Sequence, residues 1–290
     1  MTGGTIMAMA MTAPLLLVGG HHLLTRSYFG FPKRFQALDG TDATGAFGFV
    51  ALLRKAHREH CAGHEVLVVF DAEDSAAGRA RVDAGYKANR AEADHRPIQA
   101  LAPLKEMLDQ GGVRWLEWLG AEGDDVLATI AMREAAVGRA VVVFSGDRDL
   151  YSLLASDGIR ILNPQGPPGS QFITARAITD RFGVTPAQWA DFRALTGDSN
   201  DNLPGVAGVG PVTASRLLTG GRQLEDLPAT APGRLAKPLI RIRETWEAVL
   251  RERSLLRLNY EAPVPQDTVT GTAAPELTPP AVLMKAAGLW

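Results

Sequence analysis

Three short runs of apolar residues set the strongest limit on what this chain can fold into. They lie at Leu15 to Val18, Val66 to Phe70 and Val141 to Phe144, and each ends directly at a turn or an acidic residue. Short apolar runs bounded in this way are typical of buried strands. Segments with helical spacing lie between them, at 45–59, 98–109 and 124–136. Strands that alternate with helices predict an α/β fold with a mainly parallel central sheet.

The overall composition indicates a globular protein whose charges are separated. With 290 residues and 46% hydrophobic composition, the chain can bury the core of one large domain or one and a half smaller ones. A net charge of −2 excludes a polycation, so a nucleic-acid binder of this composition must segregate acidic and basic surfaces. The single cysteine, Cys61, excludes an internal disulfide and a Cys-rich zinc site, and it fits a reducing cytoplasm.

Four segments are predicted along the chain. From about Ile178 the spacing changes to helices joined by Gly-rich turns, and beyond Glu261 the chain is rich in Pro, Thr and Ala. The first residues are apolar but lack the basic start of a signal peptide. The predicted segments are a disordered leader at 1–14, an α/β core at 15–177, a helical subdomain at 178–260 and an extended or mobile Pro-rich tail at 261–290.

Acidic residues lie where an α/β fold places its working side chains, at the carboxyl ends of strands and at helix starts. Asp71 follows the second apolar run, and Asp147 and Asp149 follow the third. Hard divalent ions prefer oxygen ligands, and a two-ion site needs carboxylates from several elements. The pattern therefore predicts a two-ion site for Mg²⁺ or Mn²⁺ that could cleave a phosphodiester. The candidate ligands are Asp71, Glu122, Asp124, Asp125, Asp147, Asp149, Asp198 and Asp201.

Two other interpretations of these carboxylates are possible. Any one of them could be a helix cap or a solvated turn residue. Four clusters that all lie at the ends of strands or helices favour a shared site instead. A phosphatase with an aspartyl nucleophile is disfavoured, because Asp147-Arg148-Asp149 follows the third strand rather than opening the chain.

A glycine-rich segment follows the last acidic pair. Gly205, Gly208 and Gly210 are separated by small apolar residues, and Pro211 then opens a predicted helix. Glycines at this spacing let the backbone turn tightly and approach a phosphate. The segment therefore predicts a helix–hairpin–helix element that grips the duplex backbone without reading sequence, and a plain structural turn is the alternative.

The stretch from Arg216 to Arg257 is basic. It carries nine positive and five negative charges, a net of +4 in a chain of −2. Such a stripe can neutralise several phosphates and predicts an affinity for DNA that depends on salt. For any single arginine, a solvated helix face is an equal alternative.

Five segments, taken in order, resemble the 5′-nuclease domain of bacterial DNA polymerase I and its stand-alone relatives, the bacterial 5′–3′ exonucleases and flap endonucleases. The resemblance extends from about Leu15 to Arg257. It implies a PIN-like α/β core, a helical arch over the active site, and Mg²⁺-dependent hydrolysis near the 5′ end or flap junction of DNA. The segments are Val68–Asp71, Gly85–Arg90, Glu122–Val126, Ser145–Leu150 and Leu195–Val206.

The resemblance implies a role for each matching residue. The eight carboxylates fall on metal-site positions, and Arg79, Lys87 and Arg90 match basic residues of the arch that should contact the scissile phosphate. Tyr86 is expected either to stack on a frayed base or to pack within the arch. The DNA-binding hairpin, where the family also binds a monovalent cation such as K⁺, corresponds to Gly205, Gly208, Gly210, Thr213 and Arg216.

The sequence departs from the family pattern at several positions. After the first strand the family has Asp-Gly-His, whereas this chain has Gly19-Gly20-His21, so a metal-ligand Asp is replaced. Loss of such a ligand should weaken one metal site and slow catalysis. Val212 stands where a Lys beside the hairpin is common, and Gly123 where an Ala is usual, which should matter little.

These observations favour a metal-dependent 5′–3′ exonuclease or flap endonuclease, weakened at Gly19. The alternative is a catalytically impaired protein that binds branched DNA. A ribonuclease of the small metal-nuclease group fits less well, because those enzymes lack the hairpin. We expect DNA with 5′ flaps, nicks or ends as the partner, a monomer in the cytoplasm, and neither a membrane nor a nucleotide cofactor.

Overall fold

The computed structural model describes most of the chain. The predicted leader lies almost wholly outside the described residues, and so does Arg90. Within the described part, no helix has both the length and the apolar character needed to cross a membrane. The described residues are 12–73, 75–88, 94, 96–167 and 169–290.

A six-stranded sheet lies at the centre of the fold. Its strand order is β3-β2-β1-β4-β5-β6, in which β1 to β5 are parallel and β6 runs antiparallel at one edge. This sheet confirms the predicted α/β class, and three of its strands coincide with the three apolar runs. The strands are β1 (Leu15–Gly19), β2 (Glu65–Asp71), β3 (Arg114–Trp118), β4 (Val141–Phe144), β5 (Ile159–Leu162) and β6 (Phe172–Ile173).

Helices cover both faces of the sheet and form the second half of the chain. The predicted segment 98–109 divides into two helices at Ala100. The α-helices among the described residues are α1 (Gly20–Gly30), α2 (Thr44–His60), α3 (Ala77–Val82), α4 (Arg96–Gln99), α5 (Leu101–Gln110), α6 (Gly123–Ala136), α7 (Ala175–Phe182), α8 (Trp189–Thr196), α9 (Pro211–Leu217), α10 (Ala236–Glu244), α11 (Trp246–Leu256) and α12 (Pro280–Ala286). Short 3₁₀ helices lie at Asp149–Ala155, Pro186–Gln188, Leu224–Asp226, Gly233–Leu235 and Gln266–Thr268.

Strand β1 is buried from both sides, which explains its unbroken apolar sequence. Successive side chains of a strand point to opposite faces. Leu15 and Leu17 therefore pack in the cluster that includes residues of α6, whereas Leu16 and Val18 pack in the cluster that includes residues of α1, α2 and α5. Because β1 to β5 are parallel, their carboxyl ends all lie at the same end of the sheet.

Strands β3, β5 and β6 were not predicted from the sequence. Strand β3 is an edge strand. Its first residue, Arg114, is exposed and its other residues are half-buried, so it has no continuous apolar run. In β5 the exposed Arg160 interrupts three buried residues and stacks 3.8 Å from the ring centroid of Phe172 in β6. Strands β3 and β6 are the two edge strands and β5 adjoins β6, so these three strands are less fully covered than the central ones and lack a continuous apolar run.

The tail at 261–290 lies against the α/β core. It has little regular secondary structure before α12. Leu277, Leu283 and Met284 are buried against the core, the last two from α12. The Pro- and Thr-rich composition of the tail hides these three anchors in the sequence.

A buried carboxylate holds the tail to the sheet. Glu65, at the start of β2, accepts hydrogen bonds from the backbone N–H groups of Thr270 and Gly271, both at 2.7 Å. It also pairs with the buried Arg139 at 2.7 Å. Burial opposes ionisation of Glu65, but Arg139 and the two backbone donors outweigh it and lower its pKa.

Replacing Glu65 with Ala should destabilise the fold by about 3 kcal/mol, because it removes one of the two carboxylate partners of the buried Arg139 and the acceptor of two backbone N–H groups of the tail. Urea unfolding followed by circular dichroism would measure this. The matched control is Glu59→Ala, which removes an exposed partner of Arg58 and should change stability by less than about 1 kcal/mol. Equal unfolding midpoints for Glu65→Ala and the wild type would contradict the anchoring role.

Candidate active site

A cleft of about 200 Å³ opens at the carboxyl ends of the central strands. Strand β1 ends at Gly19 and β2 ends at Asp71, and both residues line the cleft. Asp124 enters from the first turn of α6, and Asp147 enters from the loop after β4. The topology of the sheet therefore brings three predicted carboxylates together beside the position where the family pattern has a fourth.

Backbone and ring nitrogens hold Asp71 in place. Its Oδ1 accepts a hydrogen bond from the N–H of Gly123 at 2.6 Å, and its own N–H donates to Nδ1 of His21 at 3.0 Å. A Cβ at Gly123 would lie only 3.0 Å from Asp71 Oδ1. The replacement of Ala by Gly at position 123, expected to matter little, therefore leaves room for this hydrogen bond.

Asp124 is a carboxyl group of the cleft with a strongly raised pKa. Burial raises its pKa well above the ordinary value, and the neighbouring charges of Asp147, Asp71 and Asp149 raise it further. A bound cation relieves the repulsion among half-buried carboxylates that lie close together. The oxygen donors present thus fit a hard divalent ion.

A second acidic group adjoins the first. Carboxylate oxygens of Asp149, Asp198 and Asp201 all lie within 4.8 Å of one another, close enough to hold one ion. Burial and the charge of Asp147 raise the pKa of Asp149 to about 7, although Arg193 opposes the shift. Two predicted clusters, one after β4 and one after α8, therefore meet in space.

Glu122 and Asp125 are directed away from the cleft. Glu122 contacts Lys87 Nζ at 2.6 Å and Arg79 Nη1 at 2.9 Å, and Asp125 accepts from Arg79 at 2.8 Å and from the N–H of Asn259 at 2.9 Å. Burial opposes ionisation of Glu122, but Lys87 and Arg79 outweigh it and lower its pKa. These contacts disfavour the expected role of Glu122 and Asp125 as metal ligands. The two carboxylates hold basic residues instead.

The basic residues of the predicted arch differ from one another. Lys87 lines the cleft, as expected for a group that meets a phosphate. Arg79 is 15% exposed and is held by Glu122, Asp125 and the carbonyl of Arg257, so it is not directed at the cleft. These contacts disfavour its expected contact with the scissile phosphate.

The environment of Tyr86 bears on the two predictions made for it. Its side chain is 6% exposed and belongs to the core cluster, and its hydroxyl lies 3.4 Å from Glu122. A ring packed in the core is not available to stack on a base. These contacts favour packing within the arch over stacking on a base.

The glycine-rich segment links α8 to α9, as predicted for a helix–hairpin–helix element. Gly205 and Gly208 have positive φ values of 65° and 79°, and a Cβ at Gly205 would lie 2.4 Å from the nitrogen of Gly197. Gly210 has an ordinary φ of −89° and open space around it. Its lack of a side chain therefore leaves the surface beside α9 open.

The groups around the hairpin are only partly those predicted. Arg216 is exposed and Thr213 is half-buried, whereas Arg253 of the predicted basic stripe is buried and paired with Asp191 and Glu225. The guanidinium of Arg241 donates to the carbonyl of Ala207 at 2.8 Å. This positive charge on a hairpin carbonyl disfavours the K⁺ site predicted there.

Sequence reasoning missed or left open three residues of the site. Arg193, on the last turn of α8, contacts Asp149 at 3.0 Å and also Asp198. Its position five residues before Asp198 gave no signal without the tertiary arrangement. His21 and His22 both line the cleft, and burial lowers the pKa of His22.

Two family models match the chain. The N-terminal resolvase-like domain of 5′-3′ exonuclease matches residues 14–183, and the C-terminal SAM fold of 5′-3′ exonuclease matches residues 184–276. With its α/β core and helical second half, the chain belongs to the 5′-3′ exonuclease family. The division predicted at 177/178 stays a prediction.

Individual relatives agree with this family. The chain is 40% identical over 247 residues to the thermostable DNA polymerase I of Thermus aquaticus, covering 85% of this chain and 28% of the polymerase. It is 32% identical over 258 residues to DNA polymerase I of Mycobacterium leprae, covering 88% of this chain and 28% of the polymerase. The chain thus spans little more than a quarter of the length of these relatives.

A solved structure shows the same fold. The bacteriophage T5 D15 flap endonuclease, crystallised in a complex with DNA and metal ions, is similar with a TM-score of 0.65 and 22% identity. The similarity covers 84% of this chain and 89% of the phage chain. It supports the PIN-like architecture of the core.

Asp124→Asn should stabilise the metal-free protein, because it removes one of several half-buried carboxylates that repel each other. We expect the thermal midpoint in EDTA to rise by about 3 °C, or roughly 1 kcal/mol for a chain of this size. The further rise on adding Mn²⁺ should shrink, because a predicted ligand is lost. The matched change Glu122→Gln should instead lower the midpoint in EDTA, because Lys87 and Arg79 lower the pKa of Glu122 and would lose their charged partner. A lower midpoint for Asp124→Asn would contradict the repulsion.

Proposed function

We propose that this chain hydrolyses phosphodiester bonds of DNA near 5′ ends, nicks or flaps with the help of divalent ions. The observation that carries the proposal is the meeting of six carboxylates from four separate segments beside Lys87 at one end of the sheet. Membership of the 5′-3′ exonuclease family agrees with it. The six proposed metal ligands are Asp71, Asp124, Asp147, Asp149, Asp198 and Asp201.

Mg²⁺ or Mn²⁺ bound by these residues would supply an activated water and charge neutralisation for the phosphodiester. The chain's own contribution is to hold the surrounding groups. Gly123 and His21 fix Asp71, and Glu122 holds Lys87 by a 2.6 Å contact. A lysine fixed beside the cleft can stabilise negative charge that develops on the phosphate.

Arg79 acts in this proposal as a positioning residue. It joins Glu122 on one side to Asp125 and the carbonyl of Arg257 on the other. Through Glu122 it reaches Lys87 without facing the substrate itself. The role predicted for Arg90 as a phosphate contact remains part of the proposal, although this residue lies outside the described ones.

Binding of the duplex is assigned to the hairpin and its surroundings. Gly210 leaves the backbone accessible, and Arg216 is exposed on α9. These features suit contact with phosphates rather than with base edges. We include in the proposal a monomer in the cytoplasm that uses neither a membrane nor a nucleotide cofactor.

Affinity for a 5′-flap duplex should fall steeply between about 50 and 200 mM salt, because phosphate contacts release counterions. Arg216→Gln should reduce the slope of log affinity against log salt by about one. The matched variant Arg253→Gln should leave this slope unchanged, because Arg253 is buried in ion pairs with Asp191 and Glu225. Fluorescence anisotropy in Ca²⁺ would measure both. A flat salt profile for the wild type would contradict the predicted DNA track.

Gly19→Asp should raise the rate of flap cleavage tenfold or more, roughly the effect of a ligand-shell residue. Gly19 has φ −72°, which any residue adopts, and a Cβ there would lie 3.2 Å from Ser145 Oγ and 3.4 Å from its Cβ, so a side chain needs only a small adjustment. We expect slow cleavage by the wild type in Mg²⁺ and Mn²⁺, and none by Asp147→Asn.

The matched control is Gly19→Asn, which adds nearly the same volume without the charge and should give no gain. Cleavage of a labelled 5′-flap oligonucleotide, resolved on a denaturing gel, would measure all four proteins. If the wild type and Gly19→Asp are both inert while flap binding stays tight, the chain is a DNA-binding protein that has lost catalysis.

A further inference from the structure

We propose that Asn202 is a positioning residue that ties the hairpin loop to Lys87. The proposal rests on the function proposed above, because it assigns Lys87 to the phosphate. Nothing in the sequence pattern distinguishes Asn202 from its neighbours Asn200 and Ser199. Its importance comes from where the fold places it.

Two residues with unusual backbone conformations face each other across this contact. Among the residues that the structure describes, Lys87 and Asn202 are the only non-glycine residues with positive φ, at 55° and 58°. This left-handed region is unfavourable for most L side chains, and Asn tolerates it better than Lys. Such conformations persist only where surrounding contacts hold them, and they cluster at functional sites.

Two hydrogen bonds hold the pair of segments together. The side-chain amide of Asn202 donates to the carbonyl of Gly85 at 2.8 Å, and the backbone N–H of Lys87 donates to the carbonyl of Asp201 at 3.0 Å. The base of the arch is therefore fixed on both sides of Tyr86. These two hydrogen bonds hold Lys87 in its unfavourable backbone conformation, from which its side chain reaches the cleft.

A second contact fixes Gly85 from the opposite side. Its N–H donates to Asp83 Oδ1 at 2.8 Å, and Asp83 pairs with Arg251 of α11 at 3.2 Å. Gly85 thus has its N–H held by the arch and α11, and its carbonyl held by Asn202. Loss of the Asn202 amide would release one of these two restraints and let the turn at 83–87 relax.

The loop that carries Asn202 connects the acidic group to the hairpin. Asp198 and Leu203 form a short antiparallel bridge, with N–H to carbonyl distances of 2.7 and 2.8 Å, and Gly205 begins the hairpin two residues later. The N–H of Gly205 donates to the buried Glu252 at 3.0 Å. Asn202 therefore lies where duplex binding, the acidic group and Lys87 meet, and its amide is the side-chain link to the arch.

The test is Asn202→Gly, which keeps the left-handed backbone accessible and removes only the amide. We expect the single-turnover cleavage rate on a 5′-flap duplex to fall by about 10- to 100-fold, because Lys87 is displaced. The dissociation constant for the flap in Ca²⁺ should change by less than about twofold, since the hairpin is untouched. The control Asn200→Gly alters an exposed side chain in the same loop and should change neither quantity.

A double-variant cycle separates positioning from a general loss of structure. In a Lys87→Met background, Asn202→Gly should have no further effect on the rate, because the residue through which it acts is gone. An equal fall in both backgrounds would overturn the proposal, and so would an unchanged rate for Asn202→Gly in the wild-type background.

Hydrogen exchange gives a readout that does not need cleavage. The amide of Lys87 should exchange at least about tenfold faster in Asn202→Gly than in the wild type, and at the wild-type rate in Asn200→Gly. If the wild type proves unable to cleave, faster exchange would still support the contact while the proposed function fails. Unchanged exchange at Lys87 would overturn the proposal whether or not the protein cleaves DNA.

Discussion

Mutual repulsion among half-buried carboxylates is the physical interaction that defines the cleft at the end of the sheet. The carboxyl ends of parallel strands lie at the same end of the sheet, so the acidic residues that follow them are brought together. Their proximity lowers the stability of the fold. Asp124 shows this cost most directly, since burial and three neighbouring carboxylates all raise its pKa. A divalent cation offsets such a charge, and Arg193, which contacts Asp149 and Asp198, offsets part of it within the protein. The acidic cluster thus destabilises the metal-free fold and favours the binding of cations.

The same helix that supplies Asp124 also supplies carboxylates of a different kind. Successive helical residues are turned by about 100°, so Asp125 points away from the cleft and holds Arg79. Glu122, at the cap position of α6, holds Arg79 and Lys87. On the side of the cleft, the start of α6 therefore contributes the negative charge of Asp124. On its other side, Glu122 and Asp125 hold basic residues, among them the lysine proposed to contact the phosphate. A run of adjacent acidic residues in a sequence does not reveal this division, because it depends on which face is turned to the sheet.

The parts of the fold that could be predicted are those in which local pattern and burial coincide. Strands β1, β2 and β4 are covered on both faces and read as continuous apolar runs, whereas β3 and β5 carry exposed arginines that interrupt the pattern. The acidic site could be predicted because strand ends follow directly from the strands. Asn202, Arg193 and Tyr86 could not be assigned, because their partners are distant in the chain. The anchoring of the tail on Glu65 is of the same kind, joining residues more than 200 positions apart.

The position of Gly19 bears on whether the chain retains catalysis. Its backbone conformation is open to any residue, and the space beside it is limited only by Ser145, so the fold does not require glycine there. Gly20 differs, because a Cβ at that position would lie 2.3 Å from the ring of Phe70. The missing carboxylate is thus a change of chemistry within a cleft that keeps its shape. Because the remaining carboxylates still repel one another, the demand for a bound cation persists without it. This repulsion fits a site that holds divalent ions, which is the feature on which the proposed hydrolysis depends.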